Sequence, residues 1–382
     1  MTNKILIIGG GIIGLSLGWQ LVKKGMKVEL LEKNKSGKDA GQFGQASWVS
    51  AGLLAPQAEL GFEEIELFNL CRKSLELYPM FLAELSKDSG VYIEVERTGT
   101  LFAGFDRDDA EFFKRLFDFR KEVGLPVQWL TGSEAREIEP LLSPKCSCGV
   151  WIPEDAQVNN RVMIEALKIA FEKCGGQLYE EHIVEKINIE NGKVVGAHFH
   201  DIDVEYDVVI VAAGSWSKQI EGIPDNILPP VRPVKGQTIN LKMNDECMLT
   251  HSIRGYGNTY LVPKSDGRLT IGGTVEEMGF DNKPTAGAIK QLLEDAWEII
   301  PSIYDLEIES IDVGLRPGSR DNYPIIGDSE IEGLFFATGH FRNGILLTPV
   351  TAYELSDWIV NGNKSETLND FQLSRFHKEV VQ

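Results

Sequence analysis

The chain has 382 residues, of which 43% are hydrophobic and 25% are charged, and its formal net charge at pH 7 is −19. These fractions are typical of a globular protein, and the sequence contains no apolar run of the roughly 20 residues that cross a bilayer. Because an acidic surface repels phosphate groups and anionic lipids, the charge argues against nucleic-acid and membrane partners. The length predicts two domains or one composite unit, at roughly 100–200 residues per domain.

The cysteines show no sign of a disulfide framework, because their number, five, is odd and their spacing is irregular. Cys146 and Cys148 form a close pair, but the sequence around them offers no histidine or second cysteine pair to complete a tetrahedral metal site. The N-terminal segment has no small-residue cleavage site of the kind that ends a signal peptide. We therefore expect free thiols, no metal and a cytoplasmic location.

The first predicted unit is a strand, a glycine-rich turn and a helix. Residues 4–8 (KILII) are typical of a buried parallel strand, and residues 12–24 place apolar side chains at helical spacing. Gly9, Gly11 and Gly14 fit the pattern G-x-G-x-x-G at the junction. The alternative for this segment is a flexible apolar loop. The strand before it and the helix after it favour a phosphate-binding turn.

A second strand follows and ends at Glu32, about 20 residues after the first glycine, as a dinucleotide site requires. In such a site Gly9 permits the tight turn, Gly11 lets the backbone approach the pyrophosphate, and Gly14 lets the helix pack closely. The helix N-terminus presents free N–H groups and a partial positive charge to the phosphates. Glu32 is expected to accept hydrogen bonds from ribose hydroxyls, and its charge disfavours a 2′-phosphate and therefore NADP.

The later patterns predict a second architecture. Residues 231–281 alternate apolar and polar side chains between many turns, as in an antiparallel sheet. A hairpin is predicted at the ENGK turn (residues 190–193), and residues 205–217 contain another buried strand of parallel type. The further predictions are helices over residues 62–88, 108–123, 131–139, 161–173 and 285–300, and strands around a glycine turn over residues 91–105.

Because a parallel-type strand returns after a long excursion, the cofactor domain is expected to be discontinuous. The predicted fold class is α/β (α+β two-domain), with a Rossmann-like cofactor-binding domain and a mixed or antiparallel-sheet substrate domain. The cofactor domain is assigned to residues 1–88, 151–220 and 312–382, and the substrate domain to residues 89–150 and 221–311.

Near the C-terminus, the apolar strand LFFA (residues 334–337) leads through a glycine-containing loop into a second helix, whose N-terminus can hold a negatively charged flavin edge. Six motifs occur in order along nearly the whole chain: GGGIIG, ASWVSAGLLAP, AAGSWS, YLVPKSDGRLTIGGT, GLRPGSRDNYPIIG and GHFRNGILLTP. Together they resemble the D-amino-acid oxidase family of FAD enzymes. Within that family they are most similar to the glycine oxidases of the thiamine pathway.

The resemblance implies roles for individual residues. Arg316, in GLRPG, matches the arginine that binds the substrate carboxylate, and Tyr260, in TYLVP, matches the tyrosine that hydrogen-bonds the same group. Arg342, in GHFRNG, matches an arginine at the edge of substrate and flavin. The expected FAD contacts are Gly9, Gly11, Ile12, Ile13, Gly14, Glu32, Lys33, Ala46, Ser47, Ala51, Gly52, Leu53, Val184 (at the adenine end), Gly214, Gly339, His340, Phe341, Arg342, Asn343, Gly344, Ile345 and Leu346.

An arginine suits the carboxylate role, because its planar, permanently charged fork binds a carboxylate in bidentate fashion. Simpler explanations stay open, namely surface ion pairs for Arg316 and Arg342 and an ordinary strand aromatic for Tyr260. His340 is expected to be structural rather than an acid–base group. Leu53 stands where a glycine oxidase has a methionine, which leaves the preferred substrate size open.

The resemblance implies an FAD-dependent amine oxidase. The expected reaction transfers a hydride from Cα of glycine, sarcosine, D-alanine or a similar amine to flavin N5, giving an imine, then a 2-oxo acid, ammonia and hydrogen peroxide. The FAD is expected to be non-covalent, because GLRPGSRDNYP lacks the flavin-linking cysteine of related sarcosine oxidases. A small amino acid and oxygen are the expected partners, the glycine imine is expected to supply thiamine thiazole synthesis, and a homo-oligomer is expected.

Four other functions remain open at this point. Two are flavoenzymes: a D-amino-acid dehydrogenase that passes electrons to quinone, and the glycine-oxidising subunit of a cyanide synthase. A third is a flavin-binding redox sensor without turnover. The fourth is an NAD-dependent dehydrogenase, which the first glycine motif allows but the C-terminal motifs do not fit.

Overall fold

The computed structural model describes residues 4–37, 45–61 and 64–379. Its strands, in chain order, are β1 (Lys4–Ile8), β2 (Lys27–Glu32), β3 (Leu53–Leu54), β4 (Thr100–Gly104), β5 (Gln128–Thr131), β6 (Cys148–Ile152), β7 (Ala156–Gln157), β8 (Gln177–Glu180), β9 (Lys186–Glu190), β10 (Lys193–Phe199), β11 (Ile202–Glu205), β12 (Val208–Val211), β13 (Arg232–Lys242), β14 (Ser252–Arg254), β15 (Tyr260–Pro263), β16 (Arg268–Gly272), β17 (Glu307–Gly318), β18 (Ile325–Asp328) and β19 (Leu334–Thr338).

The α-helices among these residues are α1 (Ile12–Lys23), α2 (Ala46–Val49), α3 (Pro56–Glu59), α4 (Ile65–Ser89), α5 (Arg107–Glu122), α6 (Gly132–Ile138), α7 (Asn160–Lys173), α8 (Ala286–Ile299) and α9 (Thr348–Asn361). Short 3-10 helices cover Gly214–Gln219, Asp225–Ile227, Pro301–Asp305, Glu366–Phe371 and Leu373–Glu379. Within the described parts of the chain, no helix is both long and apolar enough to cross a membrane.

The first sheet has six strands in the order β18-β19-β12-β1-β2-β8. The strands from β19 to β8 run parallel, and β18 joins the edge in the antiparallel direction. The side chains of β1 alternate between two cores, with Ile5 and Ile7 packing among α1, α4, α7 and α9, and Leu6 and Ile8 packing on the opposite face. A parallel sheet buried on both faces explains why β1 is apolar without interruption.

The second sheet has eight strands in the order β17-β13-β16-β15-β14-β4-β6-β5. Its pairs are antiparallel except for β14 with β4, which makes the sheet mixed. Helix α8 packs into the apolar core on one face of this sheet, and α5 packs against Phe102 and Val150 on the other. The α/β two-domain fold class predicted from the sequence is confirmed by this pair of sheets.

Most predicted elements appear at or near their predicted positions. The ENGK hairpin joins β9 to β10, and the start of α6 is a capping box in which Thr131 and Glu134 bond reciprocally. Predicted residues 62 and 63 of the first long helix lie outside the described residues. The prediction of strands before Gly99 was wrong, because the pairing of residues 91–99 with Gln157 is an isolated bridge at Glu96 and does not extend into a ladder. The assignment of residues to two domains stays a prediction.

Candidate active site

A cavity of about 640 Å³ lies between the two sheets. On one side it is lined by residues at the carboxyl ends of β1, β2, β12 and β19, which is where ligands bind in open parallel sheets. On the other side β13, β15 and β17 contribute side chains of the second sheet. The topology therefore brings a dinucleotide-type sheet edge and a face of the mixed sheet to one space.

Nearly all the site residues predicted from the sequence line this cavity. Gly14 and Gly339 are the exceptions, although each is next in sequence to a residue that lines the cavity. A Cβ at Gly14 would lie 2.0 Å from the carbonyl oxygen of Gly9, so this position supports close packing of the helix rather than ligand contact. The predicted residues that line the cavity are Gly9, Gly11, Ile12, Ile13, Glu32, Lys33, Ala46, Ser47, Ala51, Gly52, Leu53, Val184, Gly214, Tyr260, Arg316, His340, Phe341, Arg342, Asn343, Gly344, Ile345 and Leu346.

The glycine turn between β1 and α1 suits the pyrophosphate of a dinucleotide. Gly11 is the N-cap of α1, and a Cβ built on it would meet only the Ser47 hydroxyl, at 3.7 Å. The backbone there is open to the cavity, so a phosphate can approach it without a side chain in the way. The backbone N–H of Ile12 donates to Ser47 Oγ at 3.3 Å, which ties the start of the helix to α2.

Glu32 ends β2 at the cavity wall and is 6% exposed. Burial raises the pKa of its carboxyl group, against the effect of the two backbone N–H groups that donate to it. These donors are Gly10, to Oε2 at 2.7 Å, and Asn34, to Oε1 at 3.1 Å. The carboxylate thus shapes the glycine turn and still faces the cavity, where a ribose hydroxyl can reach it.

The segment between Ala46 and Leu53 forms another wall of the cavity and is fixed from behind. Asn160 donates to the carbonyl oxygen of Ser47 at 2.8 Å, and the carbonyl oxygen of Gly52 accepts from the backbone of Val158. The Lys264 ammonium group is buried behind Gly52, and burial lowers its pKa to about 7. A wall held by hydrogen bonds and a buried side chain gives a fixed surface for a flat ring.

The loop from Gly339 to Leu346 enters the cavity from β19 and is held by α4. Tyr78 donates to the carbonyl oxygen of Ile345, and Ser74 donates to that of Leu346 at 2.6 Å. His340 is 3% exposed, its Nε2 lies 3.1 Å from Thr351 Oγ1, and burial lowers its pKa to about 3. A histidine that stays neutral and bonded to a threonine has the properties of a structural residue.

Arg316 and Tyr260 meet at the end of the cavity on the mixed sheet. Arg316 Nη1 donates to the carbonyl oxygen of Thr274 at 2.7 Å, and burial lowers the pKa of its guanidinium group. A Cβ on Gly236 would lie 2.4 Å from Arg316 Nη1, so only glycine on β13 lets the side chain lie across the strand. Burial raises the pKa of Tyr260, while Arg316 beside it acts in the opposite direction. The pair presents a cation and a hydroxyl donor to the same part of the cavity.

The sequence prediction missed a carboxylate in this region. Glu59, at the end of α3, forms a salt bridge with Arg254 and lies 3.6 Å from Arg342 Nη1. Burial acts to raise the pKa of Glu59, but Arg254, Arg342 and Arg316 together lower it to about 2. Glu59 lies three residues beyond the motif ASWVSAGLLAP, and Arg254 lies six residues before Tyr260, so only the fold shows that they meet.

Comparison with known proteins gives consistent matches over the whole chain. The family described as DAO, FAD dependent oxidoreductase, matches residues 4–358. The glycine oxidase of Geobacillus kaustophilus is 32% identical over 380 residues, which cover 98% of each chain. The crystal structure of a glycine oxidase from Bacillus cereus superposes with a TM-score of 0.88 at 32% identity and covers 100% of both chains.

A second group of relatives is longer. The bifunctional protein ThiO/ThiG of Trichormus variabilis is 33% identical over 384 residues, and the match covers 100% of this chain but 56% of the relative. The chain therefore spans little more than half the length of these bifunctional relatives. Their remaining residues have no counterpart in the sequence described here.

Proposed function

Because the chain belongs to the DAO family of FAD-dependent oxidoreductases and is of the glycine-oxidase type, we propose that it oxidises glycine and similarly small amines. The proposed substrates are glycine, sarcosine and small D-amino acids such as D-alanine. The proposed products are the imine, which hydrolyses to a 2-oxo acid and ammonia (methylamine in place of ammonia for sarcosine), and hydrogen peroxide from oxygen.

The observation that carries the proposal is the pairing of Arg316 with Tyr260 in the cavity that also contains the glycine turn. No carboxylate forms a salt bridge with Arg316 among the described residues, and backbone carbonyls hold its Nη1. A half-buried guanidinium that forms no salt bridge of its own is a binding site for a carboxylate ligand. An α-amino acid held there by its carboxylate extends its Cα and amine into the cavity.

The residues at the other end fit FAD. Gly9, Gly11 and the N-terminus of α1 would hold the pyrophosphate, Glu32 the ribose, and the Ala46–Leu53 and Gly339–Leu346 segments the ring system. When bound, FAD supplies the hydride acceptor that no amino-acid side chain provides. We propose that it binds without a covalent link, and no cysteine is among the residues that line the described cavity.

The protein's own contribution is to orient the amine and exclude water. Arg316 and Tyr260 would fix the carboxylate, which places Cα in one position and so lowers the entropy cost of reaction. The amine must lose its proton before it can support imine formation. Poorly solvated surroundings favour the neutral amine, so the site can lower the amine pKa without a dedicated base. His340, with its pKa of about 3 and its bond to Thr351, is not suited to that role.

The wider setting is also part of the proposal. Relatives that carry the printed name ThiO/ThiG support a link to thiamine thiazole synthesis, in which the glycine imine would be the product used. We further propose a homo-oligomer and a cytoplasmic location. Size-exclusion chromatography with light scattering and cell fractionation test these two points directly.

The function is tested by oxygen consumption and peroxide formation with glycine, sarcosine, D-alanine and D-proline. We expect one peroxide per amine oxidised, with glycine or sarcosine among the best substrates. Turnover that needs a quinone analogue and is unaffected by oxygen would replace the oxidase with a dehydrogenase. A flavin that none of these amines reduces would contradict the proposed function altogether.

A further inference from the structure

Glu59 is a carboxylate inside a site that otherwise collects positive charge. Its two oxygens face two different arginines, Oε1 towards Arg254 and Oε2 towards Arg342. Glu59, Arg342, Arg316 and Tyr260 all line the same cavity. Arg254 lies behind this surface, with its guanidinium 6.0 Å from the centre of the Tyr260 ring. The chain thus supplies one carboxylate of its own at the place where a substrate carboxylate also has to bind.

The backbone beneath Glu59 is held firmly. The buried Asp155 accepts from the backbone N–H groups of Gln57 and Ala58, at 3.3 and 3.2 Å. Arg120, which is 1% exposed, donates to the carbonyl oxygens of the same two residues, at 2.8 and 2.9 Å. The backbone just before Glu59 is therefore held on both its donor and its acceptor side, and the Glu59 carboxylate itself is held by Arg254 and Arg342.

We propose that Glu59 determines substrate specificity by occupying Arg254 and Arg342, so that the site accepts amines with one carboxylate and rejects those with two. This inference rests on the proposed function, because it concerns the amines that the same site oxidises. Arg316 and Tyr260 would take the α-carboxylate. A second carboxylate on the substrate would then meet the Glu59 carboxylate at the cavity wall, where Arg342 is its available cation.

The charges support this assignment. The three arginines hold the pKa of Glu59 near 2 against the effect of burial, so the residue is ionised throughout the physiological pH range. A like charge placed against a fixed carboxylate in a poorly solvated pocket is strongly disfavoured, and this is how binding sites reject a competing ligand. Without the Glu59 charge, Arg342 at the cavity wall, with the charge of Arg254 behind it, would attract a second anion.

The test compares D-aspartate with D-asparagine, which have nearly the same shape and differ in one negative charge. In the wild-type holoprotein we expect kcat/KM for D-asparagine to exceed that for D-aspartate. In Glu59→Gln the ratio of D-aspartate to D-asparagine should rise by about tenfold or more, the scale of one close charge pair at an interface. Glu66→Gln, which removes the same charge from an exposed site on α4, is the matched control and should leave the ratio unchanged.

A second readout does not depend on turnover. Calorimetric titration of the FAD-loaded proteins with malonate and with acetate should show that Glu59→Gln gains affinity for malonate much more than for acetate. If Glu59→Gln does not fold, Arg254→Gln tests the same idea in the opposite direction. With one partner of Glu59 removed, its charge is less compensated, and the relative rate with D-aspartate and the relative affinity for malonate should both fall several-fold.

The outcomes separate this inference from the proposed function. If the wild type oxidises glycine but neither variant changes the two ratios, the inference is wrong and the proposed function stands. If no amine reduces the wild-type flavin, the proposed function fails. The malonate titration then tests the role of Glu59 without any turnover. Malonate binding that is the same in Glu59→Gln as in the wild type would overturn the inference.

Discussion

The two ends of the cavity are built in different ways. The centre of the dinucleotide end comes from one contiguous stretch, in which β1, the glycine turn, α1 and β2 fold on one another and Glu32 accepts a hydrogen bond from the backbone of Gly10, while later segments of the chain complete its walls. The amine end combines single side chains from α3, β14, β15, β17 and the loop after β19. The first end therefore depends on local backbone geometry, and the second depends on long-range packing and on charge balance. Substitutions should affect the two ends in correspondingly different ways.

The largest effect is expected for Gly14→Val. The new Cβ would overlap the carbonyl oxygen of Gly9, at 2.0 Å, and backbone cannot move aside as a side chain can. We expect a loss of about 3 kcal/mol of stability, at the upper end for overpacking, together with loss of bound flavin. Denaturant unfolding and the flavin-to-protein absorbance ratio measure both. Gly287→Ala, on α8 with open space around it, is the control and should be neutral or stabilising.

A smaller effect that is confined to the amine end is expected for Tyr260→Phe. Removing one hydroxyl donor to a bound carboxylate costs about 1.5 kcal/mol, so kcat/KM for glycine should fall roughly tenfold. The flavin content and the melting temperature should stay near those of the wild type. Tyr256→Phe removes a hydroxyl from an exposed neighbour in the same region and should change nothing. Loss of flavin in Tyr260→Phe would show that the two ends are not separable.

The smallest effect concerns His340 and pH. Its folded pKa of about 3 lies below the unfolded value, so between these values the unfolded chain binds the proton and stability falls as the pH falls. From pH 7 to pH 6 this contribution is about 0.7 kcal/mol, for an unfolded pKa of about 6.5. His340→Asn should show a flatter dependence of unfolding free energy on pH.

The same difference explains what could be predicted from the sequence. One short stretch contains Gly9, Gly11, Gly14 and Glu32, at the spacing that a dinucleotide-binding turn requires. The two kinds of sheet were predicted from the periodicity of apolar residues. Glu59 and Arg254 lie 195 positions apart, slightly more than half the length of the chain, so no local spacing predicts that their side chains meet. The strand predicted before Gly99 is not formed, because a segment of alternating apolar and polar residues needs a neighbouring strand to pair with.

The central proposal is that Arg316 binds the carboxylate of an amine whose Cα then faces FAD. The most direct measurement is anaerobic titration of the FAD-loaded wild type and Arg316→Met with glycine, following the visible flavin absorbance. We expect glycine to bleach the wild-type flavin, and the variant to need at least about 100-fold more glycine, as for removal of one partner of a buried charge pair. Bleaching of both proteins at the same glycine concentration, or of neither, would contradict the claim.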